Sequence, residues 1–381
     1  MDFILELFND YTFRLVLIGS ILLGITSGTI GTYAVLKKEA LIGDAISHAA
    51  LPGIAISFIL IGSKNTEILL LGAFIAGAFG ALLILLISKN SIIKYDNALA
   101  IILASFFGFG LVLLTYIQKI PNSNQAGLEK FLFGQVSTIL KRDINIMIFV
   151  CIITLFLIVL CWKELKLLCF DPVYLDTIGF SSKKADLILT TIIVVSIIVG
   201  LQTVGVILMS SMLIAPAVAA RQWTDKLYKM MILSGIFAGL AGFLGTIISS
   251  AVLKMPTGPI IVLMITFIAF ISIIFAPNRG LLWQKLREHK NRKEVSSNIV
   301  LNILYTLSKS HSNKNHPHTI ESMMITTNGK KYPKRYLKRE LDKLLLSGLV
   351  DHYVDKWCIN NKGIEKIKHL EYIDKGDENY V

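Results

Sequence analysis

Two ionisable residues stand inside an otherwise apolar stretch, Asp44 and His48 in GDAISHAALPG, residues 43–53. They are four residues apart, so a helix places them on one face. Gly43, Ser47 and Ala49 keep the surroundings small. An ionisable group in hydrocarbon is costly, which makes a functional role the default reading. A carboxylate and an imidazole suit a first-row divalent cation such as manganese, zinc or iron. Two ligands are too few for a tight site, and a two-fold dimer would double them around its axis. Two other chemistries fit the same pair: an Asp–His hydrogen bond holding a helix broken at Pro52-Gly53, and a proton relay. His48 is the only one of the seven histidines before residue 277. Asp44 is the one acid inside an apolar run, because Asp96, Asp143 and Asp186 begin runs and suit helix caps.

Positioning such a pair takes a bundle. The chain has 381 residues, 54% hydrophobic and 17% charged, and apolar runs recur from Phe13 to Phe275. That excludes an ordinary soluble domain and predicts an all-α polytopic membrane protein. The runs are 13–36, 41–62, 66–88, 97–117, 144–162, 187–207, 208–220, 230–253 and 257–276, giving eight or nine membrane segments. Two are irregular: 41–62 is interrupted at Pro52-Gly53, and 208–220 is short and contains Pro216. Broken segments survive in a bilayer where their backbone is buried in protein or lines a cavity. Small residues are dense in several runs, among them Gly24 and Gly28 in the first and Gly235, Gly239 and Gly242 in the eighth, which allows close helix packing.

Lys37, Lys38, Lys89, Lys94, Lys183, Lys184 and Arg221 fall on one side if the N-terminus is outside and nine segments cross, which places the C-terminus in the cytoplasm. One loop dissents, carrying Lys119, Lys130, Lys141 and Arg142, so 131–140 is expected to be an interfacial helix or the span count to be off by one. Acids rather than bases precede the first run, so no cleavable signal peptide is expected. Cys151, Cys161, Cys169 and Cys358 lack metal-site spacing and read as reduced thiols. There is no GxxxxGK[ST] loop, so the chain cannot hold ATP by that route, and it has no HExxH motif either.

GTYAVLKKEALIGDAISHAALPGIAISFIL, residues 31–60, resembles the signature region of the metal-type ABC importer permeases, which serve manganese, zinc or iron uptake in bacteria. GLQTVGVILMSSMLIAPAVAA, residues 200–220, is similar to that family's late membrane motif, and FDPVYLDTIGFSSKKAD, residues 170–186, to its cytoplasmic coupling segment. The resemblance covers residues 10–276. It implies that Asp44 and His48 contact the transported cation. It also implies a bacterial inner-membrane location, a dimer with a second permease chain (a copy or a homologue), a cytoplasmic ABC ATPase partner and an extracytoplasmic metal-binding protein. The chain would then be a transport subunit, not an enzyme, with no permanently bound cofactor. In the coupling segment Asp171 suits an N-cap and Pro172 the first helical position. Val173, Tyr174 and Ile178 would face one way for docking, and Gly179 would stop the helix.

Residues 277–381 carry 20 Lys/Arg against 12 Asp/Glu, against 18 and 14 before them, and form a separate soluble, basic unit. We read 277–295 as a basic juxtamembrane linker that anionic lipid can hold, and 296–381 as a cytoplasmic domain with a winged-helix-like α+β pattern. Leu337, Leu341, Leu344 and Leu345 would line the inner face of its third helix. Lys334, Arg335, Lys338 and Arg339 would form an outer face for DNA phosphates or for a protein partner, with Glu340 and Asp342 diluting its charge. His311, His316 and His318 form a loop cluster, either a metal sensor or polar loop. The alternative function this unit raises is a membrane-tethered, metal-responsive regulator.

Overall fold

The computed structural model describes residues 9–63, 65–119, 141–251, 255–309, 316–324 and 331–377. The chain divides into two units, 1–281 and 282–381. In the first, the helices are α1 (Tyr11–Leu36), α2 (Ile42–Ile61), α3 (Thr66–Asn90), α4 (Tyr95–Lys119), α5 (Lys141–Leu160), α6 (Trp162–Phe170), α7 (Pro172–Thr177), α8 (Ser182–Val204), α9 (Val206–Trp223), α10 (Leu227–Ala251) and α11 (Thr257–Phe275). Among the described residues eight helices are long and apolar enough to cross a membrane: α1 to α5, α8, α10 and α11. The expected segment 208–220 lies within α9, outside those eight. The expected interfacial helix 131–140 lies outside the described residues.

The interruption expected in residues 41–62 is absent. Pro52 and Gly53 lie inside one continuous helix, α2, and Pro216 likewise lies inside α9. A proline removes one donor from a helix, a loss that neighbouring helices can accommodate in a bundle. Here Gly110 of α4 sits against the ring: a Cβ on Gly110 would lie 3.2 Å from Pro52 Cδ. The break falls elsewhere, at Gly205 between α8 and α9, where φ of +87° is open to glycine and strained for other residues.

Small residues draw the helices together, as their density in the sequence suggests. Along the α1–α10 seam, a Cβ on Gly28 would stand 2.7 Å from the Ser234 carbonyl oxygen, and Ser234 Oγ donates to the Gly28 carbonyl at 2.6 Å. Ser20 Oγ and Thr246 Oγ1 are bonded at 2.9 Å in the same seam. With lipid tails as apolar as leucine, such close packing and interhelical hydrogen bonds supply the association energy. On the other side α2 is clasped by α3, Gly53 against Gly72 and Ala49 against Gly80.

In the second unit α12 (Leu281–Lys309) is a single helix, so the expected linker and first domain helix are one element. It is followed by β1 (His318–Thr319), α13 (Ile320–Met323), α14 (Lys334–Leu346), β2 (Val350–Tyr353), β3 (Lys356–Ile359) and α15 (Asn361–Asp377). The strands form an antiparallel sheet in the order β1-β3-β2. The core joins Val300, Leu304, Leu337, Leu341, Leu344 and Trp357. Leu345, expected among them, is 40% exposed, because the apolar stripe of α14 ends at Leu344.

Gly53→Ala should destabilise the first unit, since the new methyl would lie 2.0 Å from the Gly72 carbonyl oxygen. Overpacking of this kind costs about 1–3 kcal/mol, which a lowered Tm of the detergent-solubilised protein would report. Gly108→Ala, with no atom within 4 Å of the new methyl, should leave Tm unchanged or raised.

Candidate functional site

The turn that launches α2 is short. Lys38 takes φ of +63°, the Glu39 amide bonds the Ala34 carbonyl at 2.8 Å, and the Ile42 amide bonds the Glu39 carbonyl at 3.1 Å. Asp44 and His48 follow on consecutive turns of α2, as their spacing requires. His48 Nε2 stands 3.7 Å from Asp44 Oδ1, beyond hydrogen-bond range. The imidazole packs edge-on against Phe107 of α4, ring centroids 4.5 Å apart, and its Nδ1 is buried without a hydrogen-bond partner among the described residues. The Asp44 side chain keeps 35% of its surface open. The two side chains approach without a hydrogen bond, so the hydrogen-bonded stitch expected as an alternative does not form. No group of three or more His, Cys, Asp or Glu is gathered among the described residues.

The expected coupling segment has the predicted form. Asp171 caps α7, its Oδ1 accepting from the Tyr174 amide at 2.9 Å, with Pro172 in the first turn and Gly179 at φ of +91° after the helix. Leu175 is buried and anchors the helix, while Val173, Tyr174 and Ile178 are exposed. Asp176 ties the segment to α8: Ser182 donates its amide to Asp176 Oδ1 and its hydroxyl to Oδ2, both at 2.8 Å. These bonds to the ionised form hold the Asp176 carboxyl below its ordinary range.

One cluster escaped the sequence reading. Lys37 Nζ lies 2.7 Å from Glu39 Oε1 and 2.6 Å from Asp186 Oδ1, all three side chains being largely buried. Lys89 approaches the other Asp186 oxygen at 3.9 Å. Burial opposes the Lys37 charge, but the two carboxylates outweigh it and hold its pKa above the ordinary value. Burial likewise raises Glu39, against the pull of Lys37. Asp186 is no helix cap: Ser181 caps α8, accepting from the Lys184 amide, and Asp186 turns inward. The available signal was the pairing of KKE after the first run with KKAD at the start of a later one.

In the second unit Lys334, Arg335, Lys338 and Arg339 are exposed on α14, as expected, with Lys334 paired to Glu321 at 3.2 Å. Glu340 does not dilute that face. It is buried and receives the Ser297 hydroxyl at 2.9 Å. The His316 and His318 rings lie 5.2 Å apart, tilted by 53°, and His311 lies outside the described residues.

Comparisons with known proteins bear on residues 9–276, which match the model of the ABC 3 transport family. The zinc transport system membrane protein TroC of Treponema pallidum is 47% identical over 290 residues, covering 76% of this chain and 97% of TroC. The manganese transport system membrane protein MntC of Bacillus subtilis is 38% identical over 375 residues, covering 96% of this chain and 83% of MntC. An alignment of that length takes in most of the second unit. The solved structure of PsaBC from Streptococcus pneumoniae in complex with Fab superposes with a TM-score of 0.65 at 33% identity, covering 74% of this chain and 99% of that one.

Burial raises the Cys169 thiol to about 12, beside the buried charges. Thiolate is the reactive form. Maleimide at neutral pH should therefore label Cys169 far more slowly in the native protein than after denaturation, read by peptide mass spectrometry.

Proposed function

Because the chain belongs to the ABC 3 transport family, we propose that it is the membrane-spanning permease of an ATP-driven importer of a divalent transition metal, with Asp44 and His48 on the translocation path. The observation that carries the site is their geometry, two donors on one face of α2, 3.7 Å apart, within ion-pair reach but not hydrogen-bonded to each other. The names of TroC and MntC support a metal cargo, zinc in one and manganese in the other. Carboxylate plus imidazole accepts either, since geometry and availability rather than ligand type separate these ions.

In this reading an extracytoplasmic binding protein delivers the ion. The Asp44 carboxylate offsets the charge of an ion losing its water, and the His48 imidazole adds a nitrogen donor. A second permease chain related by a two-fold axis would double the set to four side chains. The donors remaining from water keep the site weak enough for the ion to leave. α7 is the projecting element on which an ATPase subunit docks, with Val173, Tyr174 and Ile178 as apolar knobs and Leu175 fixing them to the bundle. With α9 crossing as a ninth segment, the C-terminus lies on the cytoplasmic side. The regulator reading is less favoured, because the family match covers the apolar unit and the relatives are named as transport proteins.

Asp44→Ala and His48→Ala should each cut radioactive manganese or zinc uptake by at least about 100-fold, more than the loss of an outer-shell partner, while the protein still inserts. Normal uptake by both variants would remove the site. Val173→Asp should reduce co-purification of the ATPase subunit by about tenfold or more, as loss of a central apolar anchor does. Deleting residues 285–381 should leave uptake at least partly intact, whereas a regulator would lose its output.

A further inference from the structure

Four contacts in series join the proposed docking helix to the proposed metal helix. Asp176 of α7 holds both the amide and the hydroxyl of Ser182, the first residue of α8. One turn further along α8, Asp186 grips Lys37 at 2.6 Å. Lys37 also grips Glu39 at 2.7 Å, and the Glu39 carbonyl receives the amide of Ile42, where α2 begins. Asp44 lies two residues beyond.

From this we infer that Lys37, Glu39 and Asp186 are positioning residues of the transport cycle, forming a rigid joint through which movement of α7 and α8 reaches the helix bearing Asp44 and His48. The inference rests on the permease reading above. Its physical basis is the stiffness of a buried, charge-assisted contact. Two carboxylates hold one ammonium in a largely buried site: losing the ammonium leaves two like charges facing each other, and losing Asp186 removes the charged tie to α8. Apolar helix contacts can slide, as in shear motions; this contact must move as a unit or break. No other element links α8 to the turn before α2 by charge among the described residues.

The test uses the full chain assembled with its ATPase subunit in proteoliposomes, measuring metal uptake, ATP hydrolysis and manganese binding by the same preparation. Lys37→Met and Asp186→Asn should each lower uptake per ATP by about tenfold, within the usual range of coupling free energies, with manganese binding retained. The double variant should be no worse than the worse single one, because the two residues act as a unit. Lys37→Arg, which keeps charge and donors, should recover most of the coupling. Asp176→Asn removes the exposed end of the joint at little risk to folding and should also lower uptake per ATP. The joint is overturned if Asp176→Asn and Lys37→Met couple normally, if losses in the double variant multiply, or if Lys37→Arg is as impaired as Lys37→Met. Should Lys37→Met fail to insert, Asp176→Asn and Lys37→Arg decide the matter. Absence of uptake by the wild-type chain, or normal uptake by His48→Ala, would count against the permease reading itself.

Discussion

A charge removed from water must find compensation, and hydrocarbon supplies none. This chain meets that constraint in two opposite ways within a dozen residues. Lys37 is enclosed by Glu39 and Asp186 at full contact distance, so its charge is neutralised permanently by protein. Asp44 and His48 face each other at a distance too long to bond, with the carboxylate partly open. The first arrangement is finished and suits a mechanical part. The second is unfinished and suits an ion that comes and goes.

The backbone follows the same rule. Away from their ends and from Pro52 and Pro216, the helices of the first unit pair their own amides and carbonyls, which is the reason helices can occupy a bilayer. What remains is to hold them together without a hydrophobic drive, and small residues do that by letting main chains touch. Gly28 against Ser234 fixes α1 to α10, and Gly53 against Gly72 fixes α2 to α3. The helix that bears Asp44 and His48 is itself held closely by α3 at Gly72 and by α4 at Gly110.

Much of this was legible in the sequence because its signals are local. Length and apolarity mark the spans, the spacing of Asp44 and His48 fixes a shared face, and Asp171-Pro172 with Gly179 brackets α7. Two features were not legible. Pro52 and Pro216 read as breaks but lie within continuous helices, because accommodation of a proline is decided by the neighbouring helix, here at Gly110. The Lys37 cluster joins residues 149 positions apart, and each member had a sufficient local explanation as a topology signal or a cap. Tertiary pairing overrides such explanations without leaving a periodic trace.

Pro52 has one more effect on its surroundings. A helix pairs each carbonyl with the amide four residues onward, and four residues beyond His48 stands an imide nitrogen with nothing to give. The peptide oxygen of His48 is therefore denied its ordinary intrahelical quencher. The turn that presents the imidazole also presents an electronegative main-chain dipole that no side-chain replacement at position 48 can delete.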